Sequence, residues 1–559
     1  MVRPTARVVV DQVAIPMSDG VPLAADVIRP DDGAPHPVLL SRTPYGRAAL
    51  RQTMDVAAFA RDGWAVVAQD TRGRGESDGS GTPFIYEQAD GADTVAWCAA
   101  QPWCDGRVSL TGASYIGYAA WAAAVGSATG GASPVRALNT IIAADGMLDG
   151  FIYEGGALCL SIAGTWYAIQ CAGDNSVSAD VKRQIRELAD GTGRLLGSPH
   201  EHHKIRPLYE PYEQALAAPE GQFWSSVAIG SAYRTLDVPV HHVAGWYDIF
   251  AESGIRSWQS MRETARSQYA RESQRLVIGP WPHTSVFANF TAEMNFGHGA
   301  NGIIDGTIPA MWEWLRDATD GKPVQGGARV FVMGRNDWVE LDDWPPPVIE
   351  TPVYPTSTRS ARSARGDGRL CLAPGQAGAD RFLHDPYDPV PTRGGRLLGG
   401  ILPTAGPIDQ RPVQERSDVL VYTTSELSED VTIMGPVRAH VLFETTGLGA
   451  DVMVKLVDLY PDGRAMLVID SVRRASFSPG AAQEVTVEVG SVAQTFRRGH
   501  RIRVEIASSN FPRFDANPST GQPLAEIDRY ETAQQTVHHG GRTGTRIVLP
   551  VVGGALPGE

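Results

Sequence analysis

Over the first 144 residues, short β-branched and apolar runs alternate with segments whose apolar positions fall three and four residues apart. Pro37-Val38-Leu39-Leu40 reads as a strand, Ala48 to Arg61 as a helix, Trp64 to Asp70 as a strand and Tyr86 to Ala100 as a helix. Val108 to Thr111 follows as a strand, and Ala-rich Tyr115 to Val125 as a helix. Such alternation with brief connections builds a mostly parallel, doubly wound sheet, and places its site at the carboxyl edge of the strands.

Between 145 and 236 the strand runs fade. Gly156 to Ile169 and Val177 to Leu196 carry helical spacing, which predicts a helical segment inserted into the sheet domain. Alternation resumes with the strand Val238 to Ala244, a helix from Glu252 to Arg266 and the strand Arg275 to Ile278. From about Gly327 period-two runs take over: Ala328 to Val332, Ala439 to Phe443, Val452 to Leu456 and Arg501 to Ile506, separated by Pro- and Gly-rich turns. The expected architecture is an α/β-hydrolase core at 1–144 and 237–345, a helical cap at 145–236 and an all-β jelly roll at 346–559.

Composition supports more than one domain, because 559 residues exceed what a single hydrophobic core holds. A formal net charge of −14 argues against nucleic acid as a partner. No long apolar run predicts a membrane span or a leader segment, so the cytoplasm is the expected compartment. The five cysteines form no C-x-x-C pair and read as reduced, mostly buried thiols.

The chemistry centres on Gly112-Ala113-Ser114-Tyr115-Ile116-Gly117. A serine on a tight turn between strand and helix stands clear of the sheet as a nucleophile, and the NH of Tyr115 at the helix start can face a developing oxyanion. The second glycine falls three residues after Ser114, one later than in G-x-S-x-G. A hydroxyl nucleophile needs a base and an orienting carboxylate, in this fold each just past a later strand. Asp248 follows the Val238 strand and His283 follows the Arg275 strand, in the required order. Either could instead be ordinary, Asp248 as a helix cap and His283 as a loop histidine.

Other groups read as structural. Asp70-Thr71-Arg72-Gly73-Arg74-Gly75-Glu76-Ser77 lacks the lysine of a phosphate loop and should be a turn with an internal carboxylate–guanidinium pair beside the nucleophile. His200-Glu201-His202-His203 lacks metal-site spacing and reads as a solvated cluster. His241 and His242 alternate across a strand, so at most one should face the core. His538 and His539 precede two glycines in an expected surface turn.

Arg42-Thr43-Pro44-Tyr45, Gln69-Asp70-Thr71-Arg72-Gly73, Trp103-Cys104-Asp105-Gly106, the Ser114 turn, Gly245-Trp246-Tyr247-Asp248 and Gly279-Pro280-Trp281-Pro282-His283 together resemble the cocaine esterase / X-prolyl dipeptidyl-peptidase family. The resemblance continues through Val330-Phe331-Val332-Met333-Gly334, Trp338 and Trp344. In that family the elbow reads Gly-x-Ser-Tyr-x-Gly, which accounts for the displaced glycine. The resemblance implies the same three domains, with Ser114 as nucleophile, Asp248 as acid and His283 as base. It implies an oxyanion hole of the Tyr45 phenol and the Tyr115 NH, and it places Trp166 and Phe250 at an aromatic acyl pocket. Relatives that take α-amino esters carry acidic residues after the triad aspartate, whereas this chain has Ile249, Phe250 and Ala251, so ammonium recognition is not expected there.

The leading expectation is a serine hydrolase acting on a small carboxylic ester through an acyl-enzyme, with no metal or organic cofactor and no membrane partner. The family also often forms dimers, so a homodimer is an open expectation. The same triad would serve an amide-cleaving acylase, an X-prolyl dipeptidyl peptidase or an acyltransferase. A non-catalytic carbohydrate-binding role for the jelly roll is the distant alternative.

Overall fold

The computed structural model describes residues 7–129, 133–146, 150–190, 206–217, 222–398, 404–523, 526–541, 543–554 and 556. Its first sheet has ten strands. In spatial order they are Val8–Pro16, Pro22–Pro30, Ala65–Asp70, His36–Thr43, Cys104–Ala113, Val135–Ile141, Val240–Tyr247, Gln274–Pro282, Gly327–Val332 and Asp337–Leu341. The strands from Ala65–Asp70 to Gly327–Val332 run parallel, and antiparallel strands close both margins. The opening hairpin, Val8–Pro16 on Pro22–Pro30, adds a flank that no strand expectation covered.

Helices on both faces explain why the central strands are buried throughout rather than at alternate positions. Residues Ala65–Asp70, Val240–Tyr247 and Gln274–Pro282 are buried at every position. This corrects the expectation for the paired histidines: His241 and His242 point to opposite faces, yet both are buried, 4% and 2% exposed. His241 packs edge-on against Trp314, and His242 bonds Gln274 Oε1 at 3.1 Å and lies beside Trp121. Period two marks the two faces of a strand, but it marks one as solvent only where no helix covers it.

The helices include Arg47–Thr53, Val56–Arg61, Glu87–Ala99, Tyr115–Ala128, Ala251–Thr264 and Thr307–Thr319. Glu87–Ala99 and Tyr115–Ala128 cross closely through two glycines. A Cβ on Gly91 would fall 2.6 Å from Ala123 Cα, and one on Gly126 would fall 2.1 Å from the Gln88 carbonyl oxygen.

Between Ile141 and Val240 the chain leaves the sheet through a two-residue hairpin, Tyr153–Glu154 on Ala157–Leu158, and then forms mostly helix: Leu160–Gly173, Ala179–Asp190, Glu210–Ala217 and Gln222–Val227. Tyr167, Tyr209, Tyr212 and Trp224 from this segment share one buried cluster with Val38, Leu110 and Trp121 of the sheet domain. The His200–His203 group lies outside the described residues.

A β-sandwich follows. One sheet carries Gly378–His384, Ala533–His539, Val431–Thr445, Arg546–Val551 and Ile349–Thr356, with Gln483–Phe496 also on Val431–Thr445. The other carries Arg369–Cys371, Leu420–Thr423, Arg501–Ala507, Gly449–Leu459 and Ala465–Ser476, and Ile349–Thr356 pairs into both. Gly327–Val332, although period-two like the sandwich strands, lies in the first sheet, within the 237–345 bounds of the core, because its partner is the parallel strand Gln274–Pro282. One expectation changes here. His538 and His539 end a strand rather than sit in a turn: His539 is 3% exposed beside Asp380, and His538 bonds Glu444 at 2.9 Å.

Burial lowers the pKa of His241 to about 3 and of His242 to about 4, with Arg275 adding to the effect on His241. Free histidines titrate near pH ~6.5, so between roughly pH 6 and 4 the unfolded chain binds protons that the folded chain does not. Stability should therefore be fully present above that window and fall as pH drops through it. Thermal unfolding midpoints at pH 7 and pH 5 will read the fall, and His241→Phe should shrink it; a midpoint indifferent to pH in both proteins contradicts the account.

Candidate active site

The strand Cys104–Ala113 delivers Ser114 to the carboxyl edge of the sheet, and the helix Tyr115–Ala128 leaves from it. Ser114 has φ 58° and ψ −128°, a conformation that costs a non-glycine residue about 1–3 kcal/mol and persists only where its surroundings enforce it. They do so through the backbone. The Ser114 NH donates to the Ile141 carbonyl at 3.0 Å, and the Ser114 carbonyl accepts from the Tyr118 NH at 3.0 Å.

The turn also explains its own glycine spacing. A Cβ on Gly112 would meet the Ile116 backbone at 2.4 Å, and one on Gly117 would meet Ala143 Cβ at 2.5 Å and the Gly112 carbonyl oxygen at 2.9 Å. Gly112 and Gly117 thus lie against one another where the first helical turn folds back over the strand. The glycine three residues after the serine is the one that needs to be bare.

His283 Nε2 lies 2.9 Å from Ser114 Oγ, and His283 Nδ1 lies 2.7 Å from Asp248 Oδ2. Asp248 is fully buried and its second oxygen accepts the Phe250 NH at 2.6 Å, so both carboxylate oxygens are engaged. A buried carboxylate without such partners would be strongly disfavoured. With the aspartate on Nδ1, the histidine keeps Nε2 facing the serine as an acceptor. The three residues stand 134 and 35 positions apart, and parallel strands ending on one edge bring them together.

Tyr45 is 40% exposed as a residue, yet its hydroxyl end is packed against Trp166 and Gln170, and this loss of solvation raises its pKa to about 12. Trp166 Nε1 donates to the Tyr45 oxygen at 3.1 Å. Indole nitrogen only donates, so the phenolic proton remains free to be given elsewhere. The Tyr115 NH opens a helix, where the first amides have no acceptor within the helix.

Trp166 and Phe250 both join an arc of rings that sequence reasoning only partly found. Phe250 lies edge-on to His283 at 5.5 Å between centroids, Phe151 lies 5.6 Å from Phe250, and Trp166 lies edge-on to Phe151 at 5.1 Å. Trp166 also stacks on Phe84 at 5.2 Å and on Tyr115 at 5.9 Å. Phe84 and Phe151 carry no motif and stand in loops, so only the folded chain reveals them.

Beneath the elbow runs a buried polar chain. The Tyr115 hydroxyl accepts the Phe84 NH at 2.8 Å and donates to Glu87 Oε1 at 2.9 Å; Glu87 in turn pairs with Arg42 at 2.7 Å, and Arg42 Nε donates to Gln69 Oε1 at 2.7 Å. Burial, and then the Glu87 charge, push the Tyr115 phenol well above its ordinary value, so it stays a neutral donor.

The Asp70–Ser77 turn differs from expectation, because it holds no internal carboxylate–guanidinium pair. Asp70 pairs with Arg47 at 2.6 Å, Arg72 with Asp90 at 2.6 Å and Asp19 at 2.8 Å, and Arg74 reaches Asp174 at 3.6 Å. Arg74 also donates to the Gln170 carbonyl, tying the turn to the cap helix that carries Trp166. None of the five cysteines is in a disulfide, and no cluster of potential metal ligands occurs among the described residues. Among the same residues no helix is long and apolar enough to cross a membrane.

Residues 19–285 match the X-Pro dipeptidyl-peptidase (S15 family) domain, and residues 324–548 match the X-Pro dipeptidyl-peptidase C-terminal non-catalytic domain. The cocaine esterase of Rhodococcus sp. (strain MB1 Bresler) is 33% identical over 97% of this chain and 98% of its own. A putative serine esterase of Mycobacterium bovis is 23% identical over 96% of this chain and 94% of its own. Among solved structures, an aminopeptidase from a marine-sediment Thaumarchaeota archaeon superposes with a TM-score of 0.80 at 23% identity, covering 99% of this chain and 98% of that one. An α-amino acid ester hydrolase superposes at 0.78 with 24% identity and the same coverage. At these identities the two structures establish the shared fold.

The packing of the elbow makes a direct prediction. Gly117→Ala should push the first helical turn off the strand and reduce ester turnover by about 10- to 100-fold. Steady-state kinetics on folded protein will check it, and full activity in that variant would show that the turn has room to spare.

Proposed function

As a member of the cocaine esterase / X-Pro dipeptidyl-peptidase (S15) family this chain is a carboxylic-ester hydrolase, and we propose that Ser114, His283 and Asp248 carry its chemistry. The observation that carries the assignment is the unbroken hydrogen-bonded line from Asp248 through His283 to Ser114 Oγ.

Ser114 Oγ attacks the ester carbonyl while His283 Nε2 takes its proton. Asp248 holds the ring and balances the imidazolium charge. The oxyanion is met by the Tyr45 hydroxyl and the Tyr115 NH. When the intermediate collapses, His283 returns the proton to the departing alcohol, leaving Ser114 acylated. Water then attacks the acyl carbonyl, giving its proton to His283, and the carboxylic acid leaves as Ser114 is regenerated. The groups named supply nucleophile, base and oxyanion donors, so the scheme calls on no metal or organic cofactor.

The acyl group proposed is apolar or aromatic, supported by the arc of Phe250, Phe151, Trp166 and Phe84 between the base and Tyr45. Ile249, Phe250 and Ala251 after the acid offer no carboxylate to a substrate ammonium. That speaks for a simple ester over an aminoacyl-prolyl amide. The cytoplasm is the proposed compartment, supported by five cysteines none of which is joined in a disulfide.

Ser114→Ala should abolish labelling by a fluorophosphonate probe; labelling at the wild-type level sinks the assignment. Tyr45→Phe should retain labelling but lower kcat for p-nitrophenyl esters by about 10²–10³, the usual effect of losing one oxyanion donor. Because the Tyr45 pKa is raised to about 12, the phenol keeps its proton across the ordinary range. The wild-type rate should show no alkaline fall due to Tyr45 below about pH 11. Turnover of aminoacyl-prolyl anilides above that of aryl esters would favour the peptidase alternative.

A further inference from the structure

Asp248 stands on the short loop between the strand Val240–Tyr247 and the helix Ala251–Thr264. The loop is gripped from the β-sandwich side at both ends. Arg396 Nε donates to the Trp246 carbonyl at 3.2 Å, two residues before Asp248, and Arg396 Nη2 donates to Glu252 Oε1 at 3.0 Å, four residues after it. The Ser491 NH donates to Glu252 Oε1 at 2.6 Å and its hydroxyl to Oε2 at 3.0 Å, while its carbonyl accepts Arg396 Nη2 at 3.1 Å.

This closed cycle is built into the sandwich. The strand Gln483–Phe496 bulges against its partner, where Val437 faces Gly490 but Arg438 faces Glu488. A bulge re-aims the residues that follow it. Gly490, at φ 114°, is bare where a Cβ would fall 2.7 Å from Glu252 Oε1, so the carboxylate can reach the Ser491 NH. The same strand is fixed to the first sheet by Met333, whose NH donates to the Ala493 carbonyl at 3.0 Å and whose carbonyl accepts the Thr495 NH at 2.8 Å.

Apolar packing shares this work, since Trp246 and Tyr247 join one buried cluster with Ile469, Val489 and Val492 of the sandwich. A cleft of about 630 Å³ opens beside the cycle, lined by Ile249, Glu252, Ser253, Arg396 and Gly490 among others. At Ile249 the acid loop therefore borders this cleft, and the hydrogen bonds of the cycle close the side beside it. Burial opposes ionisation of Glu252, but Arg396 and Ser491 outweigh it and hold its carboxyl below the ordinary range, so the bridge is ionic.

Resting on the triad reading above, we propose that Arg396, with Glu252 and Ser491, is a positioning residue for the reaction. It fixes the acid loop so that Asp248 stays aligned on His283, and it makes the C-terminal sandwich part of the catalytic apparatus.

The test uses the full chain carrying Glu252→Gln with Arg396→Met, which removes one charge of each sign and leaves the local net charge unchanged. Folded fraction is read by thermal unfolding and active sites by fluorophosphonate titration. Expected are a kcat per active site lower by about 10- to 100-fold, a KM within about threefold of wild type, and an acid limb of kcat/KM moved to lower pH. The direction follows because a displaced Asp248 stabilises the His283 imidazolium less, so the base loses its proton more readily. Arg396→Lys should recover part of kcat and of the limb.

Wild-type kcat per site with an unmoved limb in the double variant overturns the proposal, as does activity lost only in proportion to folded protein. Should the double variant fail to fold, Ser491→Ala, which deletes one bond of the cycle, gives the same readouts on a smaller scale and is judged the same way. Failure of the triad reading shows separately, as retained labelling in Ser114→Ala.

Discussion

Ser114 is held with its backbone at φ 58° and ψ −128°, and much of the first domain can be understood as what keeps it there. The conformation needs a strand that ends on one side of the residue and a helix that begins on the other, with no side chain at Gly112 or Gly117 to separate them. It also needs that helix to be immovable. Close crossing with Glu87–Ala99 through Gly91 and Gly126 supplies this, as does the buried chain from Tyr115 through Glu87 and Arg42 to Gln69. A part-buried hydroxyl at a sheet edge is thus bought with a densely packed, hydrogen-bonded foundation.

The partners of Ser114 are held by different means. His283 and Asp248 sit past the ends of neighbouring parallel strands, so the sheet sets their spacing and loops set their orientation. Around them the rings of Phe250, Phe151, Trp166 and Phe84 displace water, which strengthens each polar contact in the site. The cap contributes Trp166, and Arg74 ties that helix back to the sheet domain. Arg396 and Ser491 extend the same logic into the sandwich, where an ion pair beside an open cleft anchors the acid loop.

Some of this was legible along the chain because the signals are local. The strand–turn–helix around Ser114, the order of Ser114, Asp248 and His283, and the change to period-two strands after Gly327 depend on neighbours a few residues away. The misreadings have one common cause. His241 and His242 looked half exposed because alternation cannot reveal a second layer of helices. The carboxylates and arginines of the Asp70–Ser77 turn looked self-sufficient, and each finds its partner far away in sequence, at Arg47, Asp90 and Asp174.

By itself the sequence determined the hydrolase-like α/β core, the β-rich C-terminal domain and the carboxylic-ester class of the chemistry, since periodicity, turn composition and side-chain type are properties of short stretches. Tertiary structure alone decided which side chains meet. Phe84 and Phe151 acquire a place in the site only when loops fold over Trp166, and Arg396 acquires one only when the sandwich docks on the acid loop. These contacts join residues 82, 15 and 150 positions apart, and one-dimensional patterning holds no record of distances that only a packed core can set.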